Sequence, residues 1–171
     1  RYLPLGYLPA TVVAANDLQL IPNASLYEFG VLSSLMHRAW VDVTAGRLKS
    51  DIRYSVKLTY NTFPWPGFTG EPLSDKHRTA IEQAAQCVLD ARSQFASSSL
   101  ADLYDPLTMP PALLKAHQKL DTAVDAAYQP SGGKKTYASD AERVAFLFEL
   151  YQRITSLLPV NKTRKTKAKE A

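Results

Sequence analysis

The chain has 171 residues, of which 46% are hydrophobic and 21% charged, which is typical of a globular protein and excludes wholesale disorder. No apolar run approaches the roughly 20 residues that cross a bilayer, which argues against an integral membrane protein. The net charge of +4 favours an anionic partner. Cys87 is the sole cysteine, so an internal disulfide and a multi-cysteine zinc site are excluded. The first residue is Arg1 rather than Met, and we expect a piece of a longer protein.

The first predicted unit covers residues 1–65 and begins with two short strands. Thr11–Ala15 is rich in β-branched residues, and Leu18–Ile21 is expected to pair with it. Asn16 and Asp17 between them are typical turn residues. This unit carries six basic and four acidic residues.

A helix and a strand complete the first unit. Apolar residues at helical spacing run from Leu26 to Val43, and Gly46 is expected to end that helix. From Ile52 to Tyr60 apolar and polar residues alternate, which predicts a strand with one buried face. The unit is therefore predicted to be a small mixed α/β module.

Polar residues of the segment 47–57 form what we call the polar ridge. If the segment is a strand or a tight turn entering one, alternation places six side chains on one face: Arg47, Lys49, Asp51, Arg53, Ser55 and Lys57. Lysine and arginine donate to guanine in the major groove of DNA, and aspartate accepts from cytosine. The alternative is a solvated strand face with ion pairs among Lys49, Asp51 and Arg53.

A proline- and glycine-rich linker at residues 66–72 separates this module from a predicted bundle of three helices at residues 73–158. Ser74 or Asp75 caps the first helix, which runs to about Phe95. After a loop at Ser97–Met109, the second helix begins at Pro110-Pro111. A capping box of Ser139 and Glu142 opens the third, whose apolar stripe reaches Leu158 before Pro159. Residues 159–171 are predicted to be a disordered basic tail. The fold class is therefore α+β.

Catalytic motifs are missing from the sequence. It contains neither a glycine-rich phosphate loop nor a nuclease-type cluster of Asp, Glu and Lys. Cys87 is expected to be a small core residue, while His37 and His117 lie on helical stripes and are expected to be packed or capping side chains. The alternative to DNA recognition is a helical protein-interaction module with no DNA role.

Six long motifs carry a family resemblance. They are GYLPATVVAAND, IPNASLYEFGVLSSLMHRAW, GRLKSDIRYS, YNTFPWP, LADLYDPLTMPPALLKAHQKLDTAVDAAY and DAERVAFLFELYQRIT. From Arg1 to about Leu158 the chain resembles the C-terminal portion of the MmeI-like DNA methyltransferases, which are single-chain type IIL restriction–modification enzymes. The resemblance implies the later part of a target recognition domain followed by a helical C-terminal domain.

The resemblance also implies the activity of the longer parent protein. The parent is expected to be a bacterial, cytoplasmic, adenine-N6 DNA methyltransferase that uses S-adenosylmethionine, and whether it carries an active nuclease is left open. The chain lacks the family's Asn-Pro-Pro-Tyr type motif, so no cofactor, metal or catalytic residue is expected here. The expected partners are double-stranded DNA and the upstream methyltransferase domain of the same protein, with no membrane partner.

Candidate site residues follow from positions that match the family's motifs. The residues that match its base-recognition positions are Asn16, Asp17, Lys49, Asp51 and Arg53. Lys49 and Asp51 are expected to contact the guanine and the cytosine of one base pair. Weaker candidates for contacts to the DNA backbone are Arg47, Lys57, Arg38 and Ser34.

Overall fold

The computed structural model describes residues 2–15, 18–49, 51–68, 72–128 and 137–156. The elements in chain order are α1 (Leu26–Leu32), α2 (Leu35–Thr44), β1 (Gly46–Leu48), β2 (Asp51–Arg53), a π-helix (Val56–Tyr60), α3 (Asp75–Ser93), α4 (Leu100–Tyr104), α5 (Pro111–Ala127) and α6 (Asp140–Thr155). Strands β1 and β2 form a two-stranded antiparallel sheet. The α+β fold class with a helical C-terminal region is confirmed.

The two strands predicted before α1 are wrong. The described residues up to Pro22 form neither helix nor strand. An isolated two-stranded ladder is marginal in water without a further strand or a covering helix, and Thr11–Ala15 has neither. The segment is instead held at single points: Arg92 Nη1 donates to the Leu5 carbonyl oxygen at 2.5 Å, and the Tyr7 hydroxyl donates to the Ser25 carbonyl oxygen at 2.9 Å.

The helix predicted from Leu26 to Val43 is broken into α1 and α2. The break falls at Ser33 and Ser34, and the Ser34 hydroxyl donates to the Val31 carbonyl oxygen at 2.6 Å. Ser34 Oγ also accepts from the His37 N–H at the start of α2. Serine side chains compete with helical backbone hydrogen bonds in this way. The spacing of apolar residues contains no information about this competition, so it did not predict the break.

The strand predicted from Ile52 to Tyr60 is correct only at its beginning. Strand β2 ends at Arg53, and the chain then forms the π-helix. The Ser55 hydroxyl accepts from the Leu58 N–H at 3.2 Å, which ends the extended backbone. Gly46, predicted to end the preceding helix, instead begins β1, because α2 already ends at Thr44.

The three helices predicted in the second unit are confirmed as α3, α5 and α6, with Ser74 and Ser139 as N-caps and Pro111 in the first turn of α5. The predicted loop at Ser97–Met109 contains the additional short helix α4, which a capping box of Ser99 and Asp102 starts. The sequence analysis did not identify this capping box.

Leu158, Pro159 and the predicted tail lie outside the described residues, as do residues 69–71 of the linker. The proposed domain boundaries stay predictions.

One apolar core joins α1 and α2 to the helices of the second unit. A Cβ atom built on Gly30 of α1 would lie 2.7 Å from Ile81 Cγ2 of α3, so the two helices approach more closely than a larger residue allows. The Trp40 ring of α2 lies 5.0 Å from the Phe148 ring of α6. Cys87 is half-buried, with its Sγ 3.9 Å from Lys119 Nζ, and is not the core residue predicted.

Two histidines are buried in the core as neutral side chains, as their positions on apolar stripes predicted. Burial lowers the pKa of His37 to about 4, and burial together with Arg92 lowers the pKa of His117 to about 3. His117 Nε2 lies 2.7 Å from the Tyr104 hydroxyl. Because that hydroxyl accepts from Arg92 Nε, it donates to the imidazole.

Because of these two histidines, we expect the free energy of unfolding to fall in acid. Because the unfolded chain binds their protons below pH 6.5, each contributes a loss of about 3 kcal/mol by pH 4. Burial raises the pKa of Asp121 to about 6, which acts in the opposite direction and offsets part of the loss. We expect His117→Gln to shrink the difference in unfolding free energy between pH 7 and pH 4 by about 3 kcal/mol.

Urea unfolding at both pH values measures this difference. His77→Gln is the control, because His77 lies at the start of α3 outside the core, where its ring hydrogen-bonds its own cap, Ser74. An unchanged acid loss in His117→Gln would contradict the assignment of that loss to His117.

Candidate nucleic-acid interface

The hairpin of β1 and β2 divides the polar ridge between two faces. Arg47 pairs with Ile52, Leu48 with Asp51, and Gly46 with Arg53. Directly paired residues project to the same face of an antiparallel sheet. Asp51 and Arg53 therefore share one face, whereas Arg47 lies on the other with Ile52. The prediction that alternation places the whole ridge on one face is wrong, because the turn of the hairpin interrupts the alternation.

Lys49 lies at the turn of the hairpin in an unusual backbone conformation. Its φ of 57° is in the left-handed region, which costs a non-glycine residue roughly 1 kcal/mol or more. Glycine or asparagine would fit this position with less strain. Such strain is concentrated at functional sites in proteins, and here it falls on an exposed lysine at the turn of the hairpin.

Three candidate base-recognition residues are exposed on the hairpin: Lys49, Asp51 and Arg53. Among the described residues, none of the three side chains forms an ion pair or a hydrogen bond. The ion pairs of the alternative interpretation are therefore not formed in the described structure. One acceptor and two cationic donors are left open to a ligand.

The candidates for DNA backbone contacts differ in accessibility. Lys57 is exposed on the π-helix, and Arg47 is exposed on β1. Arg38 is half-buried and paired with Asp42. Ser34 is buried, and its hydroxyl is occupied by the break between α1 and α2, which counts against a phosphate contact there.

The remaining candidates, Asn16 and Asp17, lie outside the described residues. The segment that follows them lines an apolar cavity of about 360 Å³ together with residues that follow the hairpin. Its lining includes residues 19–22, Tyr54 and Val56. Residues 19–22 and the residues at the exit of the hairpin are therefore close together.

Two anchors that the sequence analysis missed attach the hairpin to α2. At the exit of β2, the Tyr54 hydroxyl lies 3.1 Å from His37 Nε2, and His37 Nδ1 lies 2.9 Å from the Leu32 carbonyl oxygen. Because only a protonated Nδ1 can donate to that carbonyl, Tyr54 is the donor to Nε2. At β1, Arg47 donates to Asp42. The spacing of Arg38 and Asp42 indicates an ion pair within α2, but it does not connect Asp42 to Arg47.

The described residues include no group of three or more His, Cys, Asp or Glu residues that could hold a metal ion. No helix in the described part of the chain is both long enough and apolar enough for a membrane span.

Comparisons with known proteins place the chain in a family. A sequence model of the target recognition domain of MmeI matches residues 1–67, and one of the C-terminal domain of MmeI matches residues 73–159. DNA methyltransferase A of Bacillus subtilis (strain 168) is 43% identical over 154 residues, which are 90% of this chain and 16% of that protein.

A solved structure gives the same relationship. The type IIL restriction-modification enzyme MmeI in complex with DNA matches with a TM-score of 0.72 and 52% identity, over 80% of this chain and 17% of that one. The chain thus spans about a sixth of the length of each relative. The resemblance found in the motifs is confirmed, and the chain belongs to the MmeI family as a target recognition domain followed by a C-terminal domain.

Proposed function

We propose that this chain recognises the DNA target sequence for a site-specific adenine-N6 DNA methyltransferase of the restriction–modification type. The observation that carries the proposal is the exposed hairpin whose Lys49, Asp51 and Arg53 side chains are uncommitted within the described structure. A protruding β-ribbon fits the major groove of DNA. The MmeI relative was solved with DNA, which supports the same ligand here.

Base contacts are assigned to the hairpin and to Asn16 and Asp17. Lys49 donates to guanine N7 and O6, and Asp51 accepts from the N4 amino group of the paired cytosine. Arg53 shares the face of Asp51 and contacts a neighbouring base. Asn16 and Asp17 supply further base contacts. Arg47, Lys57 and Arg38 bind phosphates, which fix the register of the protein on the duplex.

The remainder of the longer protein supplies the chemistry in this proposal. Its methyltransferase domain binds S-adenosylmethionine and transfers the methyl group to adenine N6, in the bacterial cytoplasm where the DNA is. Contact with that domain is supported by the segment before α1, which exposes large apolar side chains at Tyr7, Leu8, Val12, Val13, Leu18 and Leu20. Surfaces of this kind are typical of contacts with another domain.

The helical unit braces the recognition module in this proposal. Residues 66–158 carry nine basic and eleven acidic residues, so its charge does not favour DNA binding. Its helices α3 and α5 pack against α1, and α6 packs against α2. Since α2 carries both anchors of the hairpin, the bundle supports the base-recognition surface indirectly.

Binding of the full-length protein to duplex DNA tests the proposal. We expect one duplex sequence, selected from a random pool, to bind at least about a thousandfold more tightly than scrambled duplexes. Its affinity is expected to fall steeply as salt is raised, because bound phosphates release counterions. Equal affinity for every duplex, or binding that is insensitive to salt, would favour the protein-interaction alternative.

A further inference from the structure

Asp42 joins two arginines at the base of the hairpin. Arg38, one turn earlier on α2, donates through Nε and Nη2 to Asp42 Oδ2 and Oδ1 at 2.9 and 3.0 Å. Arg47 on β1 donates through Nη2 to Asp42 Oδ1 at 3.3 Å. The carboxylate therefore offsets the repulsion between two guanidinium groups and connects the helix to the hairpin.

The two arginines keep donors that Asp42 does not use. A guanidinium has more N–H groups than the bonds to Asp42 occupy. The Arg38 and Arg47 side chains are 23% and 48% exposed, so both reach solvent. Together with Asp42 they carry a net positive charge, and planar guanidinium groups held in fixed positions match the oxygens of a phosphate.

We infer that Asp42 is a positioning residue for DNA recognition. It holds Arg38 and Arg47 as a preformed phosphate-binding pair at one end of the hairpin, and so it sets the register of Lys49 and Asp51 over the base pairs. This inference rests on the proposed function. Charge complementarity alone would disfavour an acidic residue at a DNA-binding surface, whereas the inference gives Asp42 a favourable role there.

The direction in which DNA affinity changes when Asp42 is replaced distinguishes a positioning role from an effect of its charge alone. Removal of an acidic side chain from a DNA-binding surface raises the local positive charge, which by itself tightens binding to every sequence. Loss of positioning has the opposite effect on the cognate duplex, because contacts to phosphates fix the register from which bases are recognised. Binding to scrambled duplexes needs no register and is not weakened.

The test uses the full-length protein and two duplexes, one selected from a random pool by the wild-type protein and one scrambled. We expect Asp42→Asn to weaken binding of the selected duplex about tenfold, the effect of about one base contact moved out of register, and to leave the scrambled duplex bound as well or better. Glu149→Gln is the matched control, because it removes the same charge from another pair of an acid and an arginine one turn apart, with Arg153 on α6. Asp42→Glu keeps the carboxylate and is expected to restore most of the affinity.

The thermal midpoint is expected to change by less than about 2 °C in Asp42→Asn, since partly exposed ion pairs contribute little stability. The inference is overturned, while the proposed function stands, if Asp42→Asn binds both duplexes more tightly than the wild type. It is also overturned if the affinities of Asp42→Asn change no more than those of Glu149→Gln. A wild-type protein that binds all duplexes alike overturns the proposed function, and the inference falls with it.

Discussion

Replacement of Lys49 by Glu together with Asp51 by Arg is expected to change the base pair that the full-length protein selects at one position of its target. The replacement exchanges a donor for an acceptor at the tip of the hairpin and an acceptor for a donor on β2. Because guanine presents acceptors and cytosine a donor in the major groove, the preferred pair is expected to change from G·C to C·G.

The effect on the original target is large. One mismatched contact costs about 1–3 kcal/mol, so affinity for the original duplex is expected to fall about 10- to 100-fold. Mapping of methylated adenines in DNA exposed to each protein identifies both targets. Lys115→Glu with Asp90→Arg is the control, since these residues are exposed on the helical unit and the net charge is again unchanged. A methylated sequence that is the same at every position would contradict the base-recognition role of Lys49 and Asp51.

Replacement of Asp121 by Ala is expected to lower the unfolding free energy by about 3 kcal/mol. Asp121 lies on α5 and is buried. Its Oδ1 accepts from the N–H of Leu35, the first residue of α2, at 2.8 Å, and its Oδ2 accepts from the Tyr2 hydroxyl at 2.7 Å. Alanine removes the acceptor for both donors and removes a carboxylate from the positive end of α2.

Replacement of Asp121 by Asn separates the hydrogen bonds from the charge. The amide oxygen still accepts from the Leu35 N–H, so the loss at pH 7 is expected to be well below that of alanine. Burial, the largest cause, raises the pKa of Asp121 to about 6. The stabilisation that comes from its bound proton is therefore present below pH 3.8 and is lost as pH rises through 6, whereas the hydrogen bonds that it accepts from Leu35 and Tyr2 are kept at pH 7. The pH dependence is expected to vanish in Asp121→Asn.

Urea unfolding of the three proteins at pH 4 and pH 7 measures both effects. Asp90→Ala, which removes an exposed carboxylate on α3, is expected to change stability by less than about 0.5 kcal/mol. If Asp121→Ala is as stable as the wild type, the helical unit does not support α2 in the way proposed.

The elements that the sequence predicted correctly are those with long periodic patterns and strong caps. Helices α3 and α6 begin after Ser74 and Ser139, and α5 carries Pro111 in its first turn. Each has a wide apolar face, and one face of a long helix is a signal that local sequence carries without tertiary information.

The elements that were mispredicted depend on interactions that periodicity does not contain. Ser34 interrupts a helix through its own hydroxyl, and Ser55 ends a strand by starting a π-helix. The turn at Lys49 adopts a left-handed conformation without the glycine that usually marks it. The division of the polar ridge into two faces followed from that turn and could not be predicted without it.

The sequence analysis named candidate residues for the site but did not predict their arrangement in space. Lys49, Asp51 and Arg53 were identified from the motif, and the structure places all three on the exposed hairpin. The supporting residues Asp42, His37 and Tyr54 were missed because their roles arise from contacts between α2 and the hairpin. The strand predicted at Leu18–Ile21 is absent, because residues 18 to 22 form neither helix nor strand.

Replacement of single guanines in the target by 7-deazaguanine tests the central claim most directly. The analogue lacks the N7 acceptor and keeps Watson–Crick pairing. At the guanine that Lys49 contacts, we expect the wild-type full-length protein to bind the substituted duplex about tenfold more weakly, while Lys49→Ala binds both duplexes equally. If every 7-deazaguanine substitution has the same effect on the wild type and on Lys49→Ala, then Lys49 makes no contact with guanine N7, and the account of the hairpin is contradicted.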